Sequence, residues 1–102
     1  MATLHLVGHA PGTSRALEQC LARAAEGDAV LLMADGVYGA VAGSAWAEQL
    51  EAEGERLAVY VLAPDLAARG LDPSRLVAGV GTVDYRTFVS LAVAHHPIQS
   101  WF

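Results

Sequence analysis

Three short β-prone runs, "TLHLVG" at 3–8, "AVLLM" at 29–33 and "LAVYVLA" at 57–63, are separated by stretches long enough to hold a helix each. "AVLLM" has no alternation of apolar with polar residues such as a strand with one wet face would show, and "LAVYVLA" is similarly apolar. Runs of this kind suit strands covered on both sides, which is the condition of a parallel sheet flanked by helices.

The segments between the runs carry helix signals. After "GHAPGTS", where two glycines and a proline break regular structure, Thr13 or Ser14 can cap a helix. Leu17, Cys20, Leu21 and Ala24 then follow at the i, i+3, i+4, i+7 spacing of one helical face, and Gly27 stops it. "ADGVYGAVAG" turns the chain after the second run, and Ser44 can cap a helix through Trp46 and Leu50 to Gly54. "PDLAARGL" reads as a short helix opened by Pro64 and closed by Gly70. "VAGVGTVD" supplies a short fourth strand and Tyr85 to His95 a last amphipathic helix. After Pro97 the tail "IQSWF" can add an edge strand. The order of strands and helices predicts an α/β fold of flavodoxin-like architecture, with a mostly parallel sheet and helices on both faces.

At 102 residues the chain has the length of one domain, expected to span 1–102. Its hydrophobic share is 54% and its charged share 17%, which excludes disorder and leaves apolar surface for partners. The net charge is −5, and the basic residues are six scattered arginines with no lysine. Such a surface lacks the clustered basic face that grips phosphates, so no direct nucleic-acid partner is expected. No run reaches the roughly 20 apolar residues of a membrane span, and the N-terminus has no secretory pattern. A cytoplasmic protein is expected. The single cysteine forbids an internal disulfide and a cysteine-based zinc cluster.

In folds of this class reactive groups gather at the carboxyl ends of strands. Those ends here carry His9 and Ser14, then Asp35 and Tyr38, then Asp65, then Asp84 and Tyr85. Helix capping by the aspartates and loop anchoring by the tyrosines explain them without catalysis. "GHAPGTS" has glycines before a hydroxyl residue, yet it lacks the lysine and spacing of a nucleotide-binding loop, and a plain strand-to-helix turn is preferred. His95 and His96 are adjacent, so on a helix their rings diverge by about 100° and chelate poorly. No metal site is expected. Cys20 sits roughly 9–10 Å along the helix from its cap, beyond the first turn in which a helix dipole activates a thiol. Arg23 is the local cation. A packed thiol is therefore the preferred reading over a reactive one.

Taken in order, "LHLVGHAP", "ALEQCLARAAEGDAVLLMADGVYGAVAG", "VYVLAPDLAARGL" and "VDYRTFVSLAVAHHPIQSW" resemble the TusB/DsrH family along nearly the whole chain. The resemblance implies a DsrE-like domain and the smallest of three related subunits, assembled as a dimer of heterotrimers, TusBCD or DsrEFH, in cytoplasmic sulfur relay. It implies as partners the DsrE/TusD-like and DsrF/TusC-like subunits and a DsrC/TusE-like acceptor of persulfide sulfur, and it implies no cofactor. The principal carrier cysteine of such complexes lies in a loop of the TusD/DsrE subunit, and no loop of this chain has one. The chain thus resembles a partner subunit, not catalytic alone. A cysteine in the first helix is similar to DsrH-type members of sulfur oxidation rather than TusB-type members of tRNA wobble-uridine thiolation. Cys20 would then be a secondary sulfur-handling thiol, provided helix one presents it at a subunit boundary.

Two other readings stand beside this one. A flavodoxin-like small-ligand domain would use "GHAPGTS" and "ADGVY". A homo-oligomer would form if the chain were produced without partners. Tyr38, Trp46, Trp101 and Phe102 are the candidate interface aromatics.

Overall fold

In the computed structural model, which describes residues 2–101, the apolar runs form the centre of a five-stranded sheet. The strands are β1 (Leu4–Val7), β2 (Ala29–Leu32), β3 (Ala58–Leu62), β4 (Gly81–Val83) and β5 (Ile98–Trp101). Their order is β4-β3-β2-β1-β5, and every pairing is parallel. Between them lie α1 (Ala16–Arg23), α2 (Ala47–Glu53), α3 (Ala63–Ala68) and α4 (Tyr85–Ala94).

The order explains which face each helix covers. From β1 to β4 the chain steps one strand at a time in one direction, and right-handed crossovers place the intervening helices on one side. The return from β4 to β5 passes back over the sheet, so α4 lies on the other. Two cores result. Val7, Val30, Leu32, Val59 and Val61 face Leu17, Cys20 and Leu21 of α1, Leu50 of α2 and Leu66 of α3. The alternate residues Leu4, Ala29, Leu31, Leu62 and Val83 face α4 through Phe88, Leu91 and Ala92. All four residues of β2 are buried, as a central strand with two covered faces requires.

The predicted class holds, with helices on both faces. The strand order is the structure's addition: it differs from the flavodoxin order 2-1-3-4-5, and its reversal falls between β1 and β5. The tail residues from Ile98 to Trp101 form the expected edge strand, in register with Leu4 to Val7.

Several local expectations shift. Ser14 accepts from the amide of Ala16 at 3.0 Å, whereas Thr13 donates back to the Ala10 carbonyl. Ser44 does not cap α2: its hydroxyl donates to the Gly39 carbonyl, and the helix starts at Ala47 with Trp46 at the capping position. The turn after β2 is a 3₁₀ helix, Ala34–Ala40. It begins with Ala34 at φ 48°, a left-handed conformation unfavourable for a residue with a Cβ. The Asp65 carboxylate accepts the Ala34 amide at 2.6 Å and holds it there. This segment passes over the end of β1 so closely that only glycine fits at 36.

Candidate functional site

Cys20 lies in α1 with no exposed surface, among the residues that pack that helix on the sheet. Burial, and secondarily the negative charge of Asp28, push its thiol up to about 12. Sulfur transfer requires a thiolate with access to its partner. In the isolated chain the Cys20 sulfur has neither, because the helix turns that face to the core and not to a boundary.

The strand-end residues separate into structural roles. Asp84 accepts from the Thr87 amide and caps α4, and hydrogen bonding holds its carboxyl below the ordinary value. Asp65 steadies Ala34, and Arg69 joins the same corner by donating to Asp35 and to the Asp65 carbonyl. Tyr85 is exposed at the start of α4, His9 is exposed beyond β1, and Ser14 serves the turn before α1. His95 bonds the Leu91 carbonyl through Nδ1, and no group of three metal-ligating side chains forms among the described residues. The structure therefore brings Asp35 and Asp65 together through Arg69. No ligand-sized cavity opens among the described residues beside "GHAPGTS" or "ADGVY".

Of the interface candidates, Tyr38 is exposed, while Trp46 and Trp101 are partly buried against the core beneath α1. Phe102 lies outside the described residues.

Trp101 leads to a cluster that the sequence reading missed. Its indole Nε1 donates to Nδ1 of His5 at 3.0 Å, and the rings stack with centroids 6.0 Å apart. On its other side His5 places Nε2 2.9 Å from Oδ2 of Asp28. The same carboxylate accepts the amides of Thr3 and Ala25, both at 2.9 Å. His5 and Asp28 are the buried polar residues of the described chain. Burial pushes the Asp28 carboxyl up, but bonds from the His5 ring and the two amides outweigh it and hold the group below its ordinary value. The available signal was one polar residue inside the run "LHLV": a buried polar side chain requires a partner.

On the opposite face α4 alone covers the sheet, and it does so thinly. None of its residues is fully buried. Tyr85, Val89 and Val93, spaced by four residues, and Ile98 on the adjoining edge strand are exposed large hydrophobics. Leu6, Met33 and Tyr60 beneath are only partly covered.

These features define a small parallel α/β domain with a buried polar cluster, no strand-end thiol and one underdressed face. Solved structures share the fold. The ychN protein from E. coli superposes with a TM-score of 0.78 at 16% identity, covering 98% of this chain and 99% of that one. MTH1491 from Methanobacterium thermoautotrophicum, a protein of unknown function, gives 0.69 at 17% identity, with 97% and 96% covered. The sequence profile of the family described as DsrH like protein matches residues 9–98. Protein TusB of Escherichia coli O81 (strain ED1a) is 41% identical over 76 residues, 74% of this chain and 77% of the relative. Protein TusB of Pectobacterium parmentieri is 39% identical over 85 residues, 83% and 86% of the two chains. The chain belongs to the TusB/DsrH family.

Proposed function

We propose that this chain is the non-carrier subunit of a cytoplasmic sulfurtransferase complex, one domain that shapes the assembly while persulfide sulfur travels on other chains. The observation that carries the reading is the position of its only cysteine, buried in the core with its thiol held protonated. A family member whose single thiol is closed to solvent cannot be the principal carrier, because exchange needs an accessible thiolate.

The partners are DsrE/TusD-like and DsrF/TusC-like subunits in a dimer of heterotrimers, and the recipient is a DsrC/TusE-like acceptor. The apolar stripe of Tyr85, Val89 and Val93 supports a subunit role, since a neutral apolar helix face above a partly covered sheet is suited to burial against another subunit. The helix-one cysteine favours the DsrH branch and dissimilatory sulfur oxidation. The TusB names of the relatives favour the second reading, service in tRNA wobble-uridine thiolation. A small-ligand domain is not favoured by any observation: among the described residues no cavity opens beside the two loops it would use.

The test is co-expression with the neighbouring subunit genes, isolation of the complex, loading with a sulfur donor and mass analysis of each chain. A hexameric complex with added sulfur on a partner and none on the Cys20 peptide is the expected outcome. Added sulfur on Cys20, with transfer lost in a Cys20→Ala complex, would replace this reading by a carrier role. Transfer from the loaded complex to a DsrC-like or a TusE-like acceptor separates the two pathways.

A further inference from the structure

The cluster at the reversal between β1 and β5 assigns the proton on His5. An indole N–H only donates, so the Nδ1 that meets Trp101 Nε1 at 3.0 Å holds a lone pair. The ring proton is then on Nε2, where it points to Asp28 Oδ2 at 2.9 Å. This neutral tautomer satisfies both contacts at once.

We propose that His5 is a proton-operated latch on the C-terminal strand: the neutral Nε2–H ring holds Trp101 in place, and a second proton, taken from solvent onto Nδ1, expels it. With both ring nitrogens protonated, Nδ1–H and the indole N–H are two donors face to face, and their hydrogen bond is lost. The doubly protonated ring keeps its Nε2–H bond to Asp28 and loses its bond to Trp101, so proton uptake and strand docking are linked and oppose each other. Strand β5 is suited to respond. It is an edge strand paired with β1 alone, and Ile98, Gln99 and Ser100 are exposed, so Trp101 is its anchor on the α1 side of the sheet.

The groups around the ring define what else can titrate with it. The chain entering β2 supplies the Asp28 carboxylate. The packed face of α1 supplies the Cys20 thiol, which already responds to Asp28. Residues 98–101 of β5 have no ionisable side chain. Past the end of α1, Arg56 is occupied by the Leu21 and Ala24 carbonyls and by Glu53. His95, at the end of α4, bonds the Leu91 carbonyl instead.

The latch is tested in a Trp46→Phe protein, where Trp101 is the single indole. Histidine is the side chain whose ordinary titration lies between about pH 5 and about pH 8. Across that span Trp101 emission should shift to the red on acidification, and it should do so equally when His9, His95 or His96 is changed to Gln. A further His5→Gln change should abolish the shift. Emission that stays constant across the span, or a shift that survives His5→Gln, overturns the proposal. Should the His5→Gln protein fail to fold, ring ¹H–¹⁵N spectra of the unaltered protein at the alkaline end decide: a proton on Nε2 with bare Nδ1 supports the latch, and a proton on Nδ1 overturns it.

Discussion

A Cβ on Gly36 would stand 2.2 Å from the carbonyl oxygen of Val7, so the 3₁₀ segment after β2 rests directly on the end of β1. The Val7 carbonyl also accepts the Met33 amide at 3.0 Å, which fixes the distance between the two strand ends. Gly36→Ala must move backbone against backbone. It should destabilise the fold by about 3 kcal/mol, at the upper end of overpacking effects. Urea unfolding checks this, against Gly12→Ala as a control with open space at the site.

Asp28 joins three pieces of chain through one carboxylate, binding Thr3, Ala25 and His5. Asp28→Ala leaves the buried His5 ring and the part-buried Thr3 and Ala25 amides without their acceptor and should destabilise by about 1–3 kcal/mol. The pH dependence follows from its lowered folded value. An unfolded Asp titrates near about 3.9, so the stability contributed by this carboxylate is complete above that pH. It is lost as pH falls through the lower folded value. The midpoint of urea unfolding should therefore fall below about pH 4, and Asp28→Asn should flatten that part of the curve.

Cys20 should resist a water-soluble thiol reagent in the folded chain at mildly alkaline pH and react at once in denaturant, because its thiol is buried and protonated. Rapid labelling of the native protein would contradict the structure. Cys20→Ser places a hydroxyl without a ready partner in the core and should destabilise by about 1–3 kcal/mol. Cys20→Ala is accordingly the gentler variant for transfer assays.

Val89 and Val93 are 60% and 83% exposed on the outer side of α4. Val89→Asp and Val93→Asp should each leave the thermal stability of the isolated chain within about 0.5 kcal/mol of the parent. Each should weaken recovery of the co-expressed complex on sizing. An intact complex would place the subunit contact elsewhere.

Ala34 adopts its left-handed conformation under the hold of Asp65. Ala34→Gly relieves the Cβ strain, about 1–2 kcal/mol, against an unfolded-state entropy of about 0.4–1 kcal/mol. A net gain of between about 0 and about 1.6 kcal/mol in thermal unfolding is expected, whereas Asp65→Ala should lower stability.

Much of the fold was legible because its cues are local. Apolar runs without alternation, the cap at Asp84 and the glycines at 27 and 70 with φ of 90° and 69° act within a few residues of themselves. Ser44 misled because a capping residue can equally bond a nearby carbonyl, and here Gly39 lies within reach. The site was less legible for a physical reason. Asp35, Asp65 and Cys20 attract notice by residue type, yet Asp35 meets Arg69, 34 residues on, Asp65 holds Ala34, 31 residues back, and the role of Cys20 is set by burial.

The sequence by itself determined the α/β class, the edge position of "IQSW" and membership of the TusB/DsrH family, since periodicity, turn residues and ordered motifs are written along the chain. Only the tertiary structure decided the strand order, the thin cover of α4 and the meeting of His5 with Trp101 across 96 positions. Such contacts depend on which strand pairs with which, and no local preference along the chain encodes that choice.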